Sequence, residues 1–401
     1  MLLRLKHALI MRLMKSLAGL APGQSHLAFT GTDASRQLCR YVLDQGYQRV
    51  LIVTDKVLRD LGVAAQGTAE LVESGVEIAF FDDIEPNPTF EQVEAGKQVL
   101  KAANSDVIIA IGGGSVIDCA KIMAAAANSD QDPREWVGFG KVKHEVVPLY
   151  AIPTTAGTGS EGTAGAVITD VQNHAKVVIS GATLLPKAAA LDAALMQGLP
   201  PAITAATGMD ALTHGIEAYI CTWERGTRKE HSRVAIKTIF KALPAIYADP
   251  TDRDAREAMA MAAYHAGLAI NQVNVGNVHA IAHQFGAYYG VPHGLANATV
   301  LPYVLEFSRD AAQSALAELA DLVGVAPLDA SAALKADAFI SAVKALNQTL
   351  NIGTKIEPLV SKDHTAIAQA AVNEAVSYPT PRLMHPNDVL AMLQAMTPAG
   401  A

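Results

Sequence analysis

Five apolar runs rich in β-branched residues fall before Leu199-Pro200-Pro201, and such runs nearly vanish after it. Arg49-Val50-Leu51-Ile52-Val53-Thr54 ends at Asp55, Val76 to Phe81 is a weaker run, and Asp106 to Ile111 leads into Gly112. Tyr150-Ala151-Ile152-Pro153 precedes a Thr/Gly-rich loop, and Ala164 to Thr169 completes the set. Unbroken apolar strands alternating with helical stretches predict a mainly parallel sheet covered on both faces. Beyond Pro201, Ala-rich helical periodicity takes over, as in Asp254 to Ile270 and Ala311 to Val323. The expected plan is an α/β domain over 21–197 and an all-helical domain over 198–401, with 1–20 as an N-terminal extension. A length of 401 residues, half of them apolar, suits about two domains with a sizeable core.

Charge narrows the partners. A formal net charge of -8 offers no field for a phosphate backbone, so nucleic acid is not expected as a partner. The three cysteines, Cys39, Cys119 and Cys221, are far apart and form no Cys-x-x-Cys pair. That pattern argues for a reducing, cytoplasmic compartment and against thiolate metal ligation. Between Met1 and Leu20, Arg4, Lys6, Arg12 and Lys15 interleave with leucines, and no acidic residue intervenes. The apolar stretches there are too short and interrupted to span a bilayer, which leaves a docking helix or frayed tail as the preferred reading over a membrane-surface helix.

The densest chemistry lies between Thr207 and His293. Asp210 and His214 stand four apart, one turn and one face of a helix. Val278-His279-Ala280-Ile281-Ala282-His283 repeats that spacing, and Pro292-His293-Gly294 adds another imidazole just past an expected helix end. Asp210, His214, His279 and His293 together offer three nitrogens and one oxygen, enough to hold a divalent transition metal with a position left for substrate. An isolated Asp/His pair is more often hydrogen-bonded or solvated, and it is the convergence of four that favours a metal.

Two loops at strand ends point to a second ligand. Gly112-Gly113-Gly114-Ser115-Val116-Ile117-Asp118 follows a strand and opens a helix, where glycine lets a phosphate approach free amides. The same residues also fit a tight turn in which Ser115 and Asp118 act as a capping pair. Pro153-Thr154-Thr155-Ala156-Gly157-Thr158-Gly159-Ser160-Glu161 carries hydroxyls and amides suited to ribose, phosphate or a nicotinamide amide. Asp55, at the end of its strand, is placed either to accept from ribose hydroxyls and repel a 2′-phosphate, or simply to form an exposed turn.

These motifs, in this order, resemble the iron-containing alcohol dehydrogenase family from about Leu27 to Asn387. Gly112 to Lys121 is similar to the family's Gly-Gly-Gly-Ser-x-x-Asp-x-Ala-Lys element, and Pro153 to Glu161 to its Thr-Thr-x-Gly-Thr-Gly-Ser-Glu loop. Ala206 to Tyr219 and His279 to Asn297 resemble its two metal-binding signatures. The resemblance implies an N-terminal dinucleotide-binding domain, a C-terminal helical metal-binding domain and an active site in the cleft between them. By position it implies Asp210, His214, His279 and His293 as ligands of iron(II), with zinc found in relatives. It sets Asp55, Asn87, Gly112, Gly113, Gly114, Ser115, Asp118, Thr154, Thr155, Thr158 and Lys176 near NAD, and His283 near the nicotinamide and substrate. Gln284 stands where many members have proline, and Gly162 replaces a common valine. The implied activity is hydride transfer between nicotinamide and a small primary alcohol or aldehyde, in a homodimer. A proton would pass through His283, water or the ribose hydroxyls. A lyase of the dehydroquinate-synthase type and a polyol dehydrogenase are the alternatives.

Overall fold

The computed structural model describes residues 2–19, 26–173, 175–224 and 226–400. The chain packs as two compact units, one of residues 24–199 with 250–267, the other of 1–23, 200–249 and 268–401.

Among the described residues the first unit holds nine strands: β1 Leu27–Thr30, β2 Arg49–Val53, β3 Glu77–Phe81, β4 Val107–Gly112, β5 Gly138–Phe139, β6 Leu149–Pro153, β7 Gly165–Asp170, β8 Ala175–Ser180 and β9 Ala188–Leu191. Six of them form an all-parallel sheet in the order β1-β9-β6-β4-β2-β3. Strand alternation divides the core: Val50, Ile52, Val107 and Ile109 pack with the helix Ala34–Asp44, whereas Leu51, Val53, Ile108 and Ala110 pack with Gly114–Ala127. Both faces are therefore buried, which is why these strands read as continuous apolar runs. Among the sequence expectations, the runs at 49–54, 76–81, 106–111, 150–153 and 164–169 all fall on strands.

The chain leaves β2 for β3 on one side, then returns to place β4 on the other. Crevices at the carboxyl ends of strands flanking such a reversal are where open parallel sheets bind ligands. Asp55 follows β2, Gly113 to Ser115 follow β4, and Thr154 to Thr158 follow β6 at the same end of the sheet. A second sheet, β5-β8-β7, sets Lys176 opposite Thr169 in antiparallel register.

The second unit is helical among the described residues. Pro201–Ile220 starts with proline at its first position, where the missing N–H costs no hydrogen bond, and is buried around nearly its whole circumference. Asn277–Tyr289 ends on Gly290 at φ 66°, and the next helix, His293–Ser308, begins three residues later. Gly294 at that start must be glycine: a methyl group there would lie 2.3 Å from the carbonyl oxygen of Ala206. The close approach brings His293 against Pro201–Ile220. The helix Leu2–Gly19 docks on this unit through Met11 and Ile10, which pack with Ala218, Trp223, Ala269, Ile270 and Val273, and through His7 Nδ1, 2.9 Å from the Val376 carbonyl. The docking-helix reading thus describes the extension. No described helix is long and apolar enough to cross a membrane.

Candidate metal centre and strand-end loops

Pro201–Ile220 presents Asp210 and His214 one turn apart, Asn277–Tyr289 presents His279 and His283, and His293 opens the following helix. The donor atoms of Asp210, His214, His279 and His293 all lie within 4.8 Å of one another. Nε2 of His279 sits 3.1 Å from Nε2 of His214, and Oδ1 of Asp210 is 3.4 Å from His293, 3.9 Å from His279 and 4.0 Å from His214. Tetrahedral ligands at about 2.1 Å from an ion are separated by about 3.4 Å, so the observed spacings suit one cation. The Asn297 amide donates to Asp210 Oδ1 at 2.7 Å and lies 3.1 Å from Nε2 of both His279 and His293. One N–H₂ group within reach of all three atoms shows that they converge on one point.

Electrostatics points the same way. Burial, aided by His214, holds His279 well below the usual imidazole range, so its ring is neutral and has a lone pair to give. Burial opposes ionisation of Asp210, but the surrounding imidazoles and the Asn297 amide outweigh it and hold the carboxyl below its ordinary value. Asp210, His214 and His279 are buried, whereas the His293 side chain is 30% exposed, which leaves the open side of the cluster there.

His283 lies beside this cluster, its ring stacked on His293 with centroids 5.3 Å apart. Its Nδ1 is 2.6 Å from Glu374 Oε1, which also accepts from the Tyr378 hydroxyl at 2.7 Å, while Gln284 donates to Oε2 at 2.9 Å. Asn297, Glu217 and Glu374 were not identified from sequence. Asn297, one helical turn after His293, and Glu217, three residues after His214, carry a spacing signal; Glu374 carries none.

In the first unit, the strand-end loops meet. A methyl group on Gly114 would fall 2.6 Å from Thr158 Cγ2, and one on Gly113 would fall 3.5 Å from Thr155. Thr154 donates its backbone N–H to the Gly112 carbonyl at 3.0 Å. Gly159, at φ 62°, lies so close to Gly267 that a methyl group would be 2.6 Å from its Cα, which pins the loop to the helix Arg253–Asn271. Lys176 Nζ donates to Asn87 Oδ1 at 2.7 Å, and Asn87 donates its N–H to Ser115 Oγ at 3.4 Å. Burial lowers the Lys176 ammonium from its ordinary value.

Asp55 caps Lys56–Asp60 through Oδ1, which accepts from Leu58 N at 2.9 Å, so it is more than an exposed turn residue. Ser115 and Asp118 do not cap the glycine turn, because Gly113 is the N-cap and no side-chain bond is made there. Asp118 instead accepts from the Ser160 hydroxyl and from Val167 N at 2.8 Å, tying helix, loop and β7 together. Lys121, fully buried, donates to Ser160 Oγ, Thr163 Oγ1 and the Gly165 carbonyl at 2.8, 3.1 and 2.6 Å.

A parallel α/β unit with glycine-rich strand-end loops and a helical unit with a buried N₃O cluster suit the class of two-part enzymes able to hold a metal ion. Comparison with known proteins specifies it further. The family model for iron-containing alcohol dehydrogenase matches residues 26–193, and that for the Fe-containing alcohol dehydrogenase family, C-terminal, matches 204–397. The chain belongs to the iron-containing alcohol dehydrogenase family and is an oxidoreductase of alcohols and aldehydes. It is 36% identical to alcohol dehydrogenase 4 of Saccharomyces cerevisiae over 92% of this chain and 96% of that one. A crystal structure of 1,3-propanediol oxidoreductase superimposes with a TM-score of 0.89 at 34% identity, covering 92% of this chain and 97% of the other. Sulfoacetaldehyde reductase from Bifidobacterium kashiwanohense, in complex with NAD+, gives 0.85 at 26% identity, covering 94% and 99%.

Proposed function

We propose that this protein is an NAD-linked, metal-dependent alcohol dehydrogenase and aldehyde reductase acting on small primary alcohols or their aldehydes. Asp210, His214, His279 and His293 hold one divalent ion, iron(II) by family and zinc as the alternative that an N₃O set also suits. The observation that carries the reading is the convergence of those four donors within 4.8 Å. When bound, the ion supplies Lewis acidity to the substrate oxygen.

The chain's own residues do the rest. Asn297 steadies Asp210, and the exposed edge of His293 is the side from which substrate enters. Glu374 holds Nδ1 of His283, which leaves Nε2 as the atom that exchanges a proton. The amides at Gly113 to Ser115, at the start of Gly114–Ala127, receive the pyrophosphate. Asp55, with Oδ1 committed to Leu58, has Oδ2 left to accept from the ribose hydroxyls and would disfavour a 2′-phosphate. Thr154, Thr155, Thr158, Asn87 and Lys176 border that site, and Asp118 secures its framework. The NAD+ complex of the sulfoacetaldehyde reductase supports the choice of cofactor.

In this reading residues 21–197 serve the dinucleotide, 198–401 the metal and catalysis, and 1–20 form an extension. A cytoplasmic homodimer is the expected form, and the free cysteines, two of them buried, suit a reducing compartment. Elemental analysis of anaerobically purified protein, joined to an NAD-linked screen of short and longer alcohols, diols and aldehydes, tests the proposal. One equivalent of metal per chain and steady NADH formation with a simple alcohol are expected. A metal-free protein with full turnover, or a protein that accumulates no NADH as a lyase would not, overturns it.

A further inference from the structure

The metal cluster is braced from behind by a side chain outside the donor set. Glu217 follows Asp210 by seven residues and His214 by three, so the three share one face of Pro201–Ile220. It is 5% exposed, yet its carboxylate serves a different helix. Oε1 accepts from Val278 N at 2.6 Å, and Oε2 accepts from Gly276 N at 2.8 Å and lies 2.6 Å from His279 Nδ1. Gly276 is the N-cap of Asn277–Tyr289 and has no side chain to cap with; a methyl group there would sit 2.7 Å from Glu217 Oε1. Glycine at 276 thus makes room for a carboxylate borrowed from Pro201–Ile220. The orphan amides of one helix start and the outer nitrogen of one imidazole are satisfied by a single group.

We propose that Glu217 is the positioning residue of the metal centre. By capping the helix that carries His279 and accepting from its Nδ1–H, it fixes both the place of the ring and its tautomer. The Nε2 lone pair is then aimed at the cluster, where it faces His214 and Asp210. A carboxylate behind a ligating imidazole orients the ring and strengthens it as a donor, and its loss typically weakens metal binding about 10–100-fold. The inference rests on the reading of the four side chains as ligands. It adds that the centre is incomplete without a fifth residue that touches no ion.

Zinc affinity of the metal-free full-length protein, measured against a competing chelator, tests it. Glu217→Gln keeps the shape of the side chain but turns an N–H₂ toward groups that all donate, so zinc binding should weaken about 10–100-fold. NAD binding should hold, while the thermal midpoint of the metal-free protein falls because a buried helix-start donor loses its acceptor. Gly276→Ala, which crowds the carboxylate without altering its charge, should weaken zinc binding in the same direction. In wild-type protein labelled with ¹⁵N-histidine, with His279 assigned through His279→Asn, the metal-free ring should be protonated at Nδ1. Unaltered zinc affinity in both variants, or a His279 protonated at Nε2, overturns the proposal; if neither variant folds, the wild-type tautomer decides it. Wild-type protein that binds no zinc would bring down the four-ligand reading and this one with it, and is told apart because the variants are then not needed.

Discussion

Each unit of this molecule buries a polar cluster, and the two solve the same problem differently. Around Lys121 the charge is balanced from within: the ammonium lies 3.5 Å from Asp118, and its three hydrogens are taken by Ser160, Thr163 and the Gly165 carbonyl. Around Asp210 the described ion partners are all imidazoles, at 3.4 to 4.0 Å, and the Nε2 atoms of two of those rings lie 3.1 Å apart. A buried carboxylate whose ion partners are imidazoles, charged only when protonated, is costly unless something permanently positive joins it. One cluster carries its cation in the sequence. The other, on the function proposed above, would take one from solution, and that difference would separate a structural network from a reactive one.

The sharpest way to break this contrast is to remove the single anionic donor. Asp210→Ala should lose metal and activity together, with kcat/KM falling on the order of 10³-fold or more, as read by elemental analysis and steady-state kinetics. Metal retained at full activity would mean that the cluster is self-sufficient after all. His283→Ala should separate holding the ion from using it: metal stays at wild-type content while kcat drops by about 10²–10⁴-fold. Equal loss of metal would make His283 a ligand.

Lys121→Met should act on the other cluster alone. Stripped of its ammonium, Asp118 keeps its bonds to Ser160 and Val167, so the cost should be about 3 kcal/mol, seen as a lower denaturant midpoint for the α/β unit with metal content intact. A variant as stable as wild type would show that the network is ornamental. The mildest effect is expected at Asp55, where Asp55→Gly should raise kcat/KM with NADP on the order of ten-fold by removing a negative charge near the 2′ position. An unchanged NADP to NAD ratio would locate cofactor choice elsewhere.

The sequence made some of this plain and hid the rest for physical reasons. Strands β2, β4 and β6 were legible because burial on both faces demands unbroken apolar runs. Strand β9 was not, since Ala188-Ala189-Ala190-Leu191 is built largely from a residue depleted in strands, and its place is set by pairing with β1 and β6. Asp210 with His214 and His279 with His283 announced themselves through helical spacing, and the glycines of 112–114 through their position after a strand. Asn87 and Lys176, in contrast, meet only because β8 folds back along β7, a tertiary contact that local pattern does not encode. Glu374 reaches His283 from a remote helix for the same reason. The Ser115/Asp118 capping pattern misled because the Thr/Gly loop competes for the same carboxylate and offers the Ser160 hydroxyl.

The contact between Gly159 and Gly267 bears on how this protein can be taken apart. The loop that follows β6 leans on a helix supplied much later in the chain, and the polypeptide passes from one unit to the other at 23/24, at 199/200, at 249/250 and again at 267/268. A fragment that stops at Leu199 therefore lacks the helix on which its own Thr/Gly-rich loop rests, and a fragment that starts at Pro200 carries an orphaned helix. Anyone wishing to study the halves separately would need a graft of 250–267 onto the first piece and a short splice across the gap in the second.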